Sequence, residues 1–215
     1  MSTGARRGLH VDTTVVRGDF SLSIAFDVPP AHVLVLAGPV DAGATTVVRA
    51  IAGRLPVAAG EIAIDGVVIS APGLTVSREL RRVGAVFEGY RLTSRLTVRD
   101  HVAGVFRRRG APLPLARAEA QPWLERFELD HLAALRPADL GPAQRMGLAL
   151  ARALAADPAV LVLDEPLAPL PEGERRAARR SLTALLREFG RPVVVASRDP
   201  EDAVALAADV VSLRG

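Results

Sequence analysis

Five apolar residues in a row, Ala159 to Leu163, run straight into two carboxylates, Asp164 and Glu165, and Pro166 ends the run. An unbroken aliphatic run of this length predicts a strand buried on both faces, as in the centre of a parallel sheet. Acids at the carboxyl end of such a strand stand where open α/β sheets bind their ligands. One acid after a buried strand is common in any fold. Two in tandem, held by a proline, read either as a site or as a buried strand whose first exposed residues happen to be acidic.

The flanking pattern sets this strand in an α/β chain. Its 215 residues suit one such domain with a small inserted subdomain. Residues Leu9 to Val28 read as two strands turning at Arg17 to Asp19, with alternation supporting the second. His32 to Gly38 is another buried strand, and it feeds a glycine-rich turn and a helix expected from Ala44 to Leu55, stopped by Pro56. Glycine-rich turn followed by helix is an arrangement that cradles phosphate, because backbone N–H groups and the helix dipole converge on the anion. A hairpin turns at Asp65 and Gly66. A strand over residues 81–87 then leads into a polar, arginine-dotted loop. From Thr97 to about Asp157 the periodicity is helical, with a strong helix from Arg145. After the acidic pair come a long helix from Glu172 to Phe189, a strand over 192–197, a short helix over 199–209 and a last strand over 210–213.

Composition narrows the chemistry. Hydrophobic residues make up 49% of the chain but aromatics only 4%, so the core is aliphatic. All 27 basic residues are arginine. A formal net charge of +3 does not argue for nucleic acid, and no aromatics interleave with Arg107 to Arg109, which read as a solvated helix end. With no cysteine, disulfides and thiolate metal sites are excluded. Neither a signal peptide nor an apolar run of membrane-spanning length is present, so a soluble chain is expected.

In order, the glycine-rich loop, the strand and loop around Glu88, residues 141–154, the run 159–166 and residues 193–207 resemble the ATP-binding cassette (ABC) transporter ATPases over almost the whole chain. Within them the chain is similar to the ATPase subunits of bacterial molybdate-type and other anion importers. The resemblance implies an α/β fold of the P-loop NTPase type, with a mixed sheet core, an antiparallel β lobe and an inserted helical lobe near residues 90–157. It implies a single nucleotide-binding domain over 1–215 without a C-terminal regulatory domain. ATP and Mg²⁺ are the implied cofactors. A transmembrane permease and a second ABC ATPase subunit, identical or different, are the implied partners. The implied place is cytoplasmic, at the inner face of the cell membrane through the permease.

Motif by motif, several side chains depart from the family. Its phosphate loop reads GxxxxGK and then Ser or Thr; here Gly38 and Gly43 are kept, Ala44 stands in the lysine position, and Thr45 and Thr46 follow. Asp41 occupies a usual glycine position, and a carboxylate about 5 Å from a phosphate charge costs about 3 kcal/mol at an effective dielectric near 20. Arg49 lies over a turn further along the helix and is a poor substitute for the lysine. Where the family has LSGGQ, the chain has Leu140, Gly141, Pro142, Ala143 and Gln144. Pro142 suits a first helical turn but has no N–H to offer an anion. Glu88 takes the glutamine position, Arg198 the switch-histidine position, and Pro171 the place of an aspartate that pairs across the dimer. Asp164, implied to hold Mg²⁺ with Thr45, and Glu165, implied to polarise the attacking water, are intact. Val15 and Val16 lie near the usual adenine-stacking position, with Phe20 as a possible substitute.

Two expectations follow. One is an importer's ATP-binding subunit whose hydrolysis is weak or lost; the other is a pseudo-ATPase that serves a permease complex as a structural or regulatory partner.

Overall fold

A computed structural model describes residues 7–206 and 209–213, which divide into two compact units. The first gathers the chain up to Ala85, Ala159–Glu165 and the chain from Arg179 onward; the second holds Val86–Pro158 and Pro166–Ala178. The expected α/β arrangement is present, with one antiparallel sheet and one sheet of parallel pairings.

In the first unit, strands β1 (Leu9–Arg17), β2 (Phe20–Val28), β4 (Ala59–Ile64), β5 (Val67–Ala71) and β6 (Leu74–Thr75) form an antiparallel sheet in the order β2-β1-β4-β5-β6. Alternation is plain in β1, where Leu9, Val11, Thr13 and Val15 are buried. The buried Thr13 hydroxyl donates to the Ala59 carbonyl at 2.9 Å, so its polar atom is satisfied. The turn between β4 and β5 carries Asp65 at φ 49° and Gly66 at φ 79°, the two left-handed residues of a type I′ hairpin.

The second sheet runs β10 (Asp209–Ser212), β3 (Val33–Ala37), β9 (Val193–Ser197), β8 (Val160–Asp164), β7 (Val83–Val86), and the pairings from β10 to β8 are parallel. All five residues of β8 and of β9 are buried, which is what the unbroken aliphatic runs predict. Register pairs Ala37 with Ser197 and Asp164 with Ala196. Three carboxyl ends therefore finish level, with β9 between β3 and β8.

Helix α1 (Ala44–Ile51) follows β3 and stops four residues before Leu55. Gly53, not Pro56, ends it. At φ 70° Gly53 donates to the Ala50 carbonyl at 3.0 Å and Arg54 donates to Arg49 at 2.7 Å, the closure of a left-handed helix cap. Arg81, only 2% exposed, completes the cap. Its Nη1 donates to the Ala50 and Ile51 carbonyls at 3.2 and 3.1 Å, its Nη2 to Ser70 at 2.7 Å and its Nε to Val76 at 2.7 Å. A cation at a helix C-terminus also answers the dipole. Near this unit's far end, α6 (Pro200–Ala205) is shorter than the expected 199–209, of which 207 and 208 lie outside the described residues.

The second unit is built on α2 (Val98–Arg108), α3 (Leu113–Arg126) and α4 (Pro142–Leu154). Ala116, Ala120 and Leu124, spaced four apart on α3, pack with Val102, Val105, Leu148 and Ala151 into one aliphatic cluster. Thr97 caps α2 by accepting the Asp100 N–H at 3.1 Å, and Arg117 of α3 grips the Asp100 carboxylate with two bonds of 2.8 and 3.1 Å. Following the acidic strand in the chain, α5 (Glu172–Phe189) keeps its expected bounds.

Replacing Arg81 with alanine takes away the Arg81 bonds to the Ala50, Ile51 and Val76 carbonyls and to the Ser70 hydroxyl, with Ala50 keeping only the Gly53 N–H. The expected loss is about 3 kcal/mol in urea unfolding. An unchanged midpoint contradicts this account of the α1 cap.

Candidate functional site

Where β3 ends, the chain cannot run on into the helix without a sharp turn, and Asp41 (φ 68°) and Gly43 (φ 100°) supply it in left-handed conformations. A Cβ on Gly43 would lie 2.6 Å from Leu22 and 2.8 Å from the tip of the Phe20 ring, so only glycine fits. Phe20 thus packs on the loop itself. Val15 is fully buried, and Val16 is exposed. Beyond Gly43 the first N–H groups of α1 have no intrahelical acceptor, and no acid lies in its first turn.

Two of the elements converge on a single contact. Thr45, in the first turn of α1, donates its hydroxyl to Asp164 Oδ1 at 2.6 Å, across 119 residues of sequence. Asp164, at the end of β8, is 1% exposed. A hydroxyl and a carboxylate oxygen side by side are the hard donors that Mg²⁺ takes, with one or two carboxylates and phosphate oxygens completing its shell. The residues present fit that ion. No cluster of three or more His, Cys, Asp or Glu that could hold a metal ion occurs among the described residues.

Glu165 sits one step beyond, at φ 49°, a left-handed conformation that a non-glycine residue holds only when its surroundings fix it. Its N–H donates to the Ala196 carbonyl at 3.0 Å. Its Oε1 accepts two bonds from one residue, the Arg198 backbone N–H at 3.0 Å and the Arg198 Nε at 2.8 Å. Burial raises the Glu165 carboxyl above its ordinary range, and the Arg198 guanidinium and N–H only partly offset that.

The turn that carries Arg198 is fixed from both sides. Ser197 donates to Asp202 at 2.6 Å and accepts the Asp199 N–H at 3.1 Å. From α5, the buried Arg179 reaches Asp202 at 2.7 Å, Glu201 at 2.6 Å and Asp199. Sequence reasoning missed this network, since Arg175, Arg176, Arg179 and Arg180 look alike. A signal exists: Ala178, Leu182 and Leu186 are the buried stripe of α5, and Arg179 lies on it.

Of the residues singled out in the sequence, Gly38, Asp41, Gly43, Ala44, Thr45, Thr46, Asp164, Glu165 and Arg198 all fall in the first unit. Glu88, Gly141 and Gln144 belong to the second. There, Glu88 is exposed in the turn after β7. Tyr90 and Arg91 follow in left-handed conformations, held by bonds from Arg152 to their carbonyls at 3.0 and 3.2 Å. The Tyr90 hydroxyl donates to the Pro166 carbonyl at 3.0 Å, and burial pushes its phenol up to about 12. Gly141 caps α4, and its N–H goes to Gln144 Oε1 at 2.9 Å. That donor is already taken.

Residues 22–168 match the family described as ABC transporter. The sulfate/thiosulfate import ATP-binding protein CysA of Salmonella typhi is 38% identical over 192 residues, 87% of this chain and 52% of that protein. The chain belongs to the ABC transporter family. CysA of Burkholderia mallei is 35% identical over 202 residues, covering 91% of this chain and 56% of that one. The chain thus spans about half the length of the curated relatives it matches. In fold, this ABC cassette superposes on the ATP-binding cassette MJ0796, solved as a dimer in a post-hydrolysis state with ADP and Pi, with a TM-score of 0.76 over 95% of this chain and 93% of that one. At 24% identity that likeness concerns the fold alone.

Between the ordinary carboxylate value and the raised value of Glu165, the native chain holds a proton that the unfolded chain has released. Stability contributed by this residue therefore falls as pH rises through that interval and is level on either side. Glu165→Gln removes the titration. Urea unfolding across that pH range is expected to lose the downward slope in the variant, and a slope identical to that of the unaltered protein contradicts the raised value.

Proposed function

We propose that this chain is the ATP-binding subunit of an anion importer, docked to a transmembrane permease at the inner face of the cell membrane and paired with a second ABC ATPase subunit. The names of its relatives, sulfate/thiosulfate import proteins, support the importer reading. The observation that carries nucleotide binding is the 2.6 Å bond from Thr45 to Asp164 beside the open N-terminus of α1. No helix among the described residues is long and apolar enough to cross a membrane.

In this reading the turn from Gly38 to Gly43 and the first N–H groups of α1, at Ala44 to Thr46, wrap the phosphates. Thr45 and Asp164 hold Mg²⁺, which when bound neutralises charge on the terminal phosphate oxygens. Glu165 takes the proton of the attacking water, its carboxylate made more basic by burial. Glu88 links the site to the permease contact. Gly141 and Gln144 face the nucleotide of the other subunit. Phosphoryl transfer depends on positioned charge. Ala44 brings none, Asp41 adds a negative one, and Gly141 has no hydroxyl. Hydrolysis is accordingly weak or absent while the cassette still binds and couples.

A steady-state ATPase assay, alone and with the permease, tests this. Turnover below about one per second is expected, and Ala44→Lys is expected to tighten Mg²⁺-ATP binding by about tenfold or more. Turnover at or above the rate of an ordinary cassette in the unaltered chain contradicts the weak-hydrolysis reading. Absence of nucleotide binding in both chains contradicts the ATP-binding one.

A further inference from the structure

Among the described strands the two sheets end in β2, β6, β7 and β10, and three of these edges are short. β6 has two residues, and β7 and β10 have four each. β2 is the exception, with nine residues and β1 as its one neighbour among the described strands. An unpaired edge is a template for another chain, and proteins blunt such edges with proline, basic side chains or bulges. None of these devices occurs within β2. Its register with β1 runs over all nine residues without a shift, and Phe20 to Val28 include no proline and no basic residue.

The strand is also held in place before anything pairs with it. The Thr14 and Ser23 hydroxyls share a bond of 2.8 Å across the ladder, and His10 Nδ1 meets Asp27 Oδ1 at 2.7 Å. At the start of β2, Phe20 and Leu22 lie against Gly43. A segment ordered in advance loses little freedom on association. One face of β2 carries Leu22, Ile24 and Phe26, which are half-buried; the other carries Ser21, Ser23, Ala25 and Asp27, which are exposed.

We propose that the outer edge of β2 pairs antiparallel with β2 of a second copy of this chain, about a twofold axis at Ile24, and so joins two five-stranded sheets into one. This register is the one that pairs all nine residues of the strand, and its side chains match. Leu22 faces Phe26 of the other copy and Ile24 faces Ile24, aliphatic and aromatic pairs that favour a sheet. On the exposed face, Ser23 meets Ala25 and Ser21 meets Asp27. His10 takes Oδ1 of that carboxylate, which leaves Oδ2 for the serine hydroxyl. The two Asp27 side chains stand about 20 Å apart, beyond the reach of charge in physiological salt. A register centred on Asp27 would instead set them face to face. Nucleotide takes no part in this contact, so it stands apart from ATP binding.

Sedimentation velocity of the full chain over a range of concentrations, without nucleotide and in EDTA, tests the pairing. A reversible dimer with a dissociation constant in the micromolar range is expected. Ser23→Arg combined with Ala25→Arg crowds cations about the axis and is expected to weaken the dimer about tenfold or more. These positions face Thr14 and Asp12 on β1, so the added cations do not repel the strand within the chain. Ser23→Glu combined with Ala25→Glu is expected to weaken it likewise, and an equimolar mixture of the two double variants to restore it. An unaltered chain that stays monomeric overturns the proposal. A dimer that the arginine pair leaves unchanged is formed by another face and overturns it too. So does a mixture that remains monomeric, since the opposite charges then do not meet.

Discussion

The hydrogen bond from Thr45 to Asp164 joins two segments 119 residues apart, and it exists because the parallel sheet lets the chain cross over twice and return level. β8 and β9 are buried at every position, so each can present polar groups only where it ends. Level register then gathers those ends: the loop after Ala37, the turn after Ser197 and the acids after Leu163. A slip of one residue in β8 would turn Asp164 to the opposite face and separate it from Thr45. Packing of aliphatic strands thus comes first, and the polar contact follows from it.

Charge at this place is unbalanced in an informative way. Asp41, Asp164 and Glu165 bring three carboxylates to the loop ends, while Arg198 is paired with one of them. At an effective dielectric near 20, a unit charge about 5 Å away is worth about 3 kcal/mol. The scaffold accommodates these side chains because none of them is a charge buried without a partner. Ala44 removes a charge rather than adding one, Asp41 is exposed, and Arg198 is held by a carboxylate. Altered chemistry at the loop ends leaves the strands beneath them unaffected.

How far residues alone reveal this depends on the range over which each interaction acts. Short-range patterns read directly: the aliphatic run of β8, the Asp65–Gly66 hairpin, and the bounds of α5 at Glu172 and Phe189. The end of α1 does not read directly, because Gly53 and Pro56 are both plausible stops. Arg81 supports the choice of Gly53, capping the Ala50 and Ile51 carbonyls from 31 and 30 residues further along the chain, beyond any local signal. The pairing of Glu165 with Arg198 is similarly hidden. A family pattern marks both positions but says nothing of an arginine meeting the acid, which only the adjacency of β8 and β9 brings about. Arg179 is hardest to pick out, since its burial shows only once the apolar stripe of α5 is traced.

The central claim is that Thr45 and Asp164 together form the seat of a nucleotide-bound divalent ion. Amide resonances of isotope-labelled protein, followed as Mn²⁺ is added in the presence of ATP, report directly where that ion resides. The account predicts selective broadening of the Gly43 to Thr46 and Asp164 signals, dependent on ATP and abolished by Asp164→Asn. Broadening that spares these residues, or that is the same with and without ATP, would contradict it.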